Sequence, residues 1–115
     1  MKKADSMIKK TENKRIDKGR DLNGVKNKYI LRLFITGILP KSVRAVVNIN
    51  AICEKYLKYR YQLEIIDIYQ QPDLASKDEI SIIPVLIKKF PLPEERMIGD
   101  LSDTDEVLKG LCITD

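Results

Sequence analysis

The stretch YILRLFITGILPKSVRA, residues 29–45, decides how this chain is read. Its first seven residues, Tyr29 to Ile35, are rich in β-formers and nearly continuous in apolar character, which is the pattern of a strand covered on both faces. Thr36-Gly37-Ile38-Leu39-Pro40 breaks that strand with two strong punctuators. From Lys41 to Tyr59 the apolar residues recur at helical spacing, with Val43, Val46, Val47, Asn50, Cys53 and Leu57 on one stripe and Glu54, Lys55 and Lys58 largely off it. Tyr61 to Ile68 mixes alternation with an apolar centre and reads as a second strand. Strand, helix, strand in about 40 residues is a βαβ unit, whose strands should lie parallel with a right-handed crossover.

Working outward toward the C-terminus, Gln71-Pro72-Asp73 is a turn and Leu74 to Ile80 is expected to form a short helix. Pro84 to Lys89 reads as a strand, Pro91-Leu92-Pro93 forces a bend, and Arg96-Met97-Ile98 reads as another short strand. After the Gly99-Asp100-Leu101 turn, Ser102 and Asp105 stand at capping-box spacing, and Val107, Leu108, Leu111 and Cys112 supply the apolar face of a last helix. The order β-α-β-α-β-β-α predicts an α/β domain of thioredoxin-like type over residues 29–115.

Toward the N-terminus the character changes. Residues 1–28 hold ten Lys or Arg against four Asp or Glu, a net of +6, while residues 29–115 carry −2, so the overall charge of +4 belongs to this segment. It has no sustained helical or strand period and too little apolar surface to offset the entropy of ordering, and is therefore read as a flexible basic arm. No aromatic or Gly-Arg pattern accompanies its charge, so a nucleic-acid partner is not expected. No apolar run approaches the ~18 residues of a membrane span. Two cysteines, Cys53 and Cys112, lie far apart inside apolar patterns and are read as buried, reduced thiols of a cytoplasmic protein.

The residues that would carry chemistry are missing. The chain has no histidine, which removes the commonest general base and metal ligand. A thioredoxin would place Cys-x-x-Cys at the first strand-to-helix junction, where a helix N-terminus activates the thiol; that junction here reads Gly37-Ile38-Leu39-Pro40-Lys41-Ser42. Asp67, Asp78-Glu79 and Glu94-Glu95 read as strand-end and turn carboxylates, and Asp100, Asp103 and Asp105 as helix-start acids. No phosphate-cradling loop occurs. Neither catalytic, cofactor-binding nor metal-binding residues are assigned, and the chain is read as not an enzyme.

From Tyr29 to Leu111 the sequence resembles the KaiB family. Tyr29 to Gly37 is similar to that family's first strand and turn, and Pro40-Lys41-Ser42-Val43-Arg44-Ala45 to its Pro-x-Ser-Val-Arg-Ala helix start. Ile66-Asp67-Ile68 with Pro72-Asp73-Leu74-Ala75, Ile83-Pro84-Val85-Leu86, Arg96 to Ser102, and Val107-Leu108 with Gly110-Leu111 continue the series in order, almost without gaps. The resemblance implies a non-enzymatic regulator of a circadian, timing or stress-response system that binds a KaiC-type ATPase. It also implies a metamorphic chain, able to occupy a homo-oligomeric ground fold, tetramer or dimer, besides the thioredoxin-like one; two packings of one sequence coexist only when they differ by a few kcal/mol. Arg32 and Arg44 match positions where the family is basic and meets KaiC. Pro84, expected in cis, and Gly110 match positions tied to the fold and its balance. Glu64 and Glu94-Glu95 depart from the cyanobacterial pattern, which leaves a KaiA-like partner in doubt. The alternative is a thioredoxin-like sensor or adaptor domain that binds another signalling protein, such as a histidine kinase.

Because the arm supplies no core, deleting residues 1–27 is expected to leave the thermal midpoint nearly unchanged. Differential scanning calorimetry of the full and shortened chains checks this; a fall of many degrees would show that the arm packs on the domain.

Overall fold

In the computed structural model, which describes residues 28–113, four strands and three helices follow in order. They are β1 (Tyr29–Ile35), α1 (Pro40–Tyr56), β2 (Tyr61–Asp67), α2 (Pro72–Lys77), β3 (Val85–Phe90), β4 (Glu95–Ile98) and α3 (Thr104–Leu111). The sheet order is β2-β1-β3-β4. β1 and β2 run parallel in register from Tyr29↔Tyr61 to Ile35↔Asp67, as a βαβ unit requires. β3 pairs antiparallel with β1, and β4 antiparallel with β3. The expected arm, apart from Lys28, lies outside the described residues.

Alternation along β1 sorts the domain into two layers. Tyr29, Leu31, Leu33 and Ile35 pack with Ala45, Ile49, Ile52, Cys53 and Leu57 of the α1 segment and with Val107 and Leu111 of α3. Phe34 goes to the opposite side with Ile66, Val85 and Ile87, covered by Leu74, Ala75 and Ile80 from α2 and its exit. The strand is thus covered on both faces, as its continuous apolar run predicts.

The helix stripe needs correction. The buried residues of α1 are Ser42, Ala45, Ile49, Ile52 and Cys53, whereas Val43 and Val47 are 51% and 62% exposed. The helix is turned by about one position, 100°, from the stripe drawn through the valines. The physical reason is that this phase buries Ile49 and Ile52 with Ala45 and Cys53, and it also lets Ser42 Oγ accept a hydrogen bond from the Thr36 N–H at 3.1 Å in the buried junction. A polar residue faces inward to satisfy a strand-end amide, and two valines face water.

Several boundaries also move. α1 ends at Tyr56, not Tyr59, where the backbone reverses through Leu57 and a positive φ at Tyr59. α2 starts earlier, with Pro72 in its first turn, a position where the missing N–H costs nothing. The cap of α3 is Asp103, whose side chain accepts from the Glu106 N–H at 3.2 Å, rather than Ser102. Cys112 is not part of the apolar face of α3; it is the left-handed C-cap and an exposed residue, while Cys53 is buried. Burial pushes the Cys53 thiol up to about 12, with Glu54 adding to the effect. Ile83–Pro84 is cis, as expected, and so are Phe90–Pro91 and Leu92–Pro93.

Truncating Ile49 to Ala is expected to cost about 2–5 kcal/mol by emptying part of the core, whereas Val47→Ala should change stability by less than about 0.5 kcal/mol. Urea unfolding midpoints of the two variants check the phase of α1.

Candidate docking surface

The valines turned away from the core leave α1 with an apolar outer face. Val43 and Val47 stand one helical turn apart, and the loop that enters the helix adds Ile38 and Leu39, both exposed. Surface apolar residues scattered singly are ordinary, but four gathered on one helix and its entry loop form a patch with no covering element among the described residues. The loop itself is pinned: the Gly37 N–H donates to Asp67 Oδ2 at 3.1 Å, and a Cβ on Gly37 would stand 2.9 Å from that oxygen. Asp67 is therefore a loop anchor at the end of β2, where the sequence showed only a strand-end acid.

Arg44 flanks the patch. Its Nε donates to Asp100 Oδ2 at 2.9 Å, and Asn48, one turn further on, donates from Nδ2 to the Asp100 carbonyl at 2.9 Å. The Ser102 N–H also reaches Asp100 Oδ1. Arg44, with the other bonds, holds the Asp100 carboxyl down at about 2. Asp100 is thus not a helix-start acid but the fastening between α1 and the loop after β4. Beside it lies a cleft of about 510 Å³ lined by Lys41, Arg96, Asp100, Ser102 and Glu106 among others.

Arg32 lies elsewhere. An arginine in an apolar strand would ordinarily sit at an edge or an end with its head in water; the structure places it in β1, an inner strand of the sheet. Because Leu31 and Leu33 face α1, Arg32 faces the α2 side, opposite to Arg44. Its guanidinium meets Glu64, its cross-strand partner, at 3.0 Å and Asp78 at 3.2 Å. Asp78 is nearly buried and also binds Lys89 Nζ at 2.8 Å, while its carbonyl accepts from Arg96. Burial by itself would raise the Asp78 carboxyl, but Lys89 and Arg32 outweigh it and the net direction is down. Glu94 extends the cluster with looser contacts to Lys89 and Arg96. Glu64 and Glu94 thus face basic groups of this same chain. The structure does not bring Arg32 and Arg44 to one surface.

Gly110 and Pro84 are structural positions here. A Cβ on Gly110 would stand 2.6 Å from Met97 Sδ and 2.9 Å from its Cγ, so α3 packs closely on β4 at that point. The gain in helix propensity expected of Gly110→Ala is therefore opposed by displacement of a flexible thioether, a contact that sequence spacing could not reveal. Pro84 is buried at the entry to β3, and its carbonyl accepts from the Gly99 N–H at 3.0 Å.

Comparison with known proteins places this arrangement. A family profile, the KaiB domain, matches residues 32–113. The chain is 46% identical over 87 residues to the circadian clock protein KaiB3 of Synechocystis sp., covering 76% of this chain and 85% of that protein. It is likewise 46% identical over 83 residues to the circadian clock oscillator protein KaiB of Thermosynechococcus vestitus, covering 72% and 77%. Among solved structures, the thioredoxin of Fasciola hepatica superposes with a TM-score of 0.63 at 15% identity, over 81% of this chain and 88% of the other, which shows the fold alone. The N-terminal domain of SasA from Synechococcus elongatus superposes with a TM-score of 0.54 at 27% identity, over 75% and 85%.

Replacing Arg44 by Gln should raise the Asp100 carboxyl from about 2 toward the ordinary 3.8. Since a depressed carboxyl stabilises the fold above its unfolded value and that stabilisation fades as pH falls toward the folded one, the native chain should lose more of it between about pH 4 and 2 than the variant, which keeps the Ser102 bonds. An NMR titration of the Asp100 carboxyl in both chains checks the direction.

Proposed function

The chain belongs to the KaiB family, and on that footing we propose that it is a non-enzymatic clock regulator that docks onto a KaiC-type ATPase through the outer face of α1. One observation carries the reading: Val43 and Val47 are turned out of the core, next to the exposed Ile38 and Leu39, while Ile49 and Ile52 of the same helix fill it. Apolar anchors supply most of the affinity of an interface, and a charged rim sets register and approach. Arg44 and Lys41 provide that rim. The N-terminal ring of the ATPase is the surface the family resemblance implies, and the encounter takes place in the cytoplasm.

The Arg44–Asp100 pair gives the interface a second property. It joins the docking helix to the loop that leads into α3, so a partner that draws Arg44 away loosens the β4–α3 connection. That is the half of the chain in which Pro84, Pro91, Pro93 and Gly110 lie, and in which a second packing, a homo-oligomer of the free chain, would have to differ. Arg32 belongs to the sheet's charge cluster in the thioredoxin-like arrangement and would be freed for a partner only if that cluster opened.

The similarity to the SasA N-terminal domain favours a second reading, an adaptor domain that meets another signalling protein with the same helix face. Mixing the chain with the KaiC-type ATPase of its own organism separates the two.

The experiment is size-exclusion chromatography of the chain alone and with that ATPase, with and without ATP. Val47→Asp is expected to weaken the complex more than tenfold, about 1.4 kcal/mol, with the thermal midpoint unchanged because the side chain is exposed. If Val47→Asp and Arg44→Gln both bind like the native chain, the α1 face is not the interface.

A further inference from the structure

The consecutive lysines of β3 go to opposite faces. Lys89 finds Asp78 on the α2 side, whereas Lys88 turns toward α3 and is fully buried, at 0% exposure. No carboxylate lies within 4.0 Å of Lys88 among the described residues. Its Nζ has one hydrogen-bond partner there, Cys112 Sγ at 3.6 Å. A thiol sulfur is a weak acceptor, and a buried ammonium ordinarily has a much stronger one. Cys112 itself, the C-cap of α3, is an exposed residue, and its contact with Lys88 is part-buried. Its neighbour Leu111 is tied down by Tyr29, whose hydroxyl donates to the Leu111 carbonyl at 3.0 Å. The thiol of an exposed residue is thus held beside a buried, under-satisfied cation at a fixed junction between helix and sheet.

From this juxtaposition we propose that Cys112 is a peroxide-reactive modification site, with Lys88 as the residue that promotes oxidation and retains the product. The oxidant is hydrogen peroxide. Sulfur attacks one peroxide oxygen, the S–O bond forms as the O–O bond breaks, and the departing hydroxide leaves as water with the proton of the thiol. Sulfur is oxidised by two electrons to the sulfenic acid and peroxide is reduced by two. Lys88 Nζ–H stabilises the charge that develops on the departing oxygen. Afterwards it donates to the sulfenyl oxygen, a stronger acceptor than the sulfur it replaces, and more so when that oxygen is anionic. Oxidation therefore gives the buried ammonium the partner it lacks and ties the end of α3 to β3. A thiol restores the starting state by way of a mixed disulfide. Cys53, buried in the α1 layer, takes no part.

The test uses the full-length Cys53→Ala chain, in which Cys112 is the remaining thiol, treated with hydrogen peroxide in the presence of dimedone and followed by intact mass. Trapping of Cys112 sulfenate should be at least about fivefold faster than in the same chain carrying Lys88→Met, because a hydrogen-bond donor to the developing charge has been removed. Lys88→Arg should restore part of the rate. Should Lys88→Met fail to fold, the comparison is with the Lys88 chain unfolded in urea, where the two side chains are no longer held together; the native chain should again react faster. Equal rates in either comparison overturn the proposal, as does formation of a Cys112-linked dimer with no trapped sulfenate.

Discussion

A strand that must be covered on both faces sets the terms for everything else in this domain. β1 sends Tyr29, Leu31, Leu33 and Ile35 to one side and Phe34 to the other. Neither set can stay in water without forfeiting about 1.5–3 kcal/mol per large side chain. One side is closed by α1 and α3, the other by α2 and its exit. β1 also lies between two neighbours, parallel β2 and antiparallel β3, so its backbone groups are matched along both edges.

The exception on β1 is Arg32, and much of the charge in the second half of the chain follows from it. A guanidinium on an inner strand needs anions close by, since its desolvation is otherwise uncompensated. Glu64 stands directly across the parallel pair, and Asp78 comes up from the exit of α2. Asp78 then gathers Lys89, and its carbonyl takes Arg96, which links the cluster to both remaining strands. The cluster positions the chain between α2 and β3, and it holds Arg32 on the opposite side from the docking helix.

On the other face the rotation of α1 decides what the surface offers. Burial of Ile49 and Ile52 favours it, and Ser42 fits it by accepting from the Thr36 amide. With that rotation Ile49 and Ile52 enter the core, Val43 and Val47 leave it, and Arg44 and Asn48 come to rest over Asp100. The exposed apolar patch, the basic residues beside it and the fastening of the β4–α3 loop are three consequences of a single helical phase.

The sequence by itself determined the element order, the parallel βαβ opening, the absence of a dithiol at the first junction and, through its ordered series of motifs, the family. These depend on local composition and spacing, which neighbours in space do not alter. What only the tertiary structure decided was orientation. The valine stripe assigned Val43 and Val47 to the core, whereas the core takes Ile49 and Ile52, in a phase that also brings Ser42 to a strand-end amide six residues upstream. Hydropathy gave no reason for Arg32 to sit on an inner strand, because the anions that let it do so, Glu64 and Asp78, lie 32 and 46 residues away along the chain. Gly110 was legible as a helix glycine, but its closeness to Met97 was not. Lys88 and Cys112, 24 residues apart, read as a strand lysine and a core thiol until the end of α3 was laid against β3. In each case the deciding partner is distant in sequence and polar or tightly packed, and such partners act only once the chain has folded.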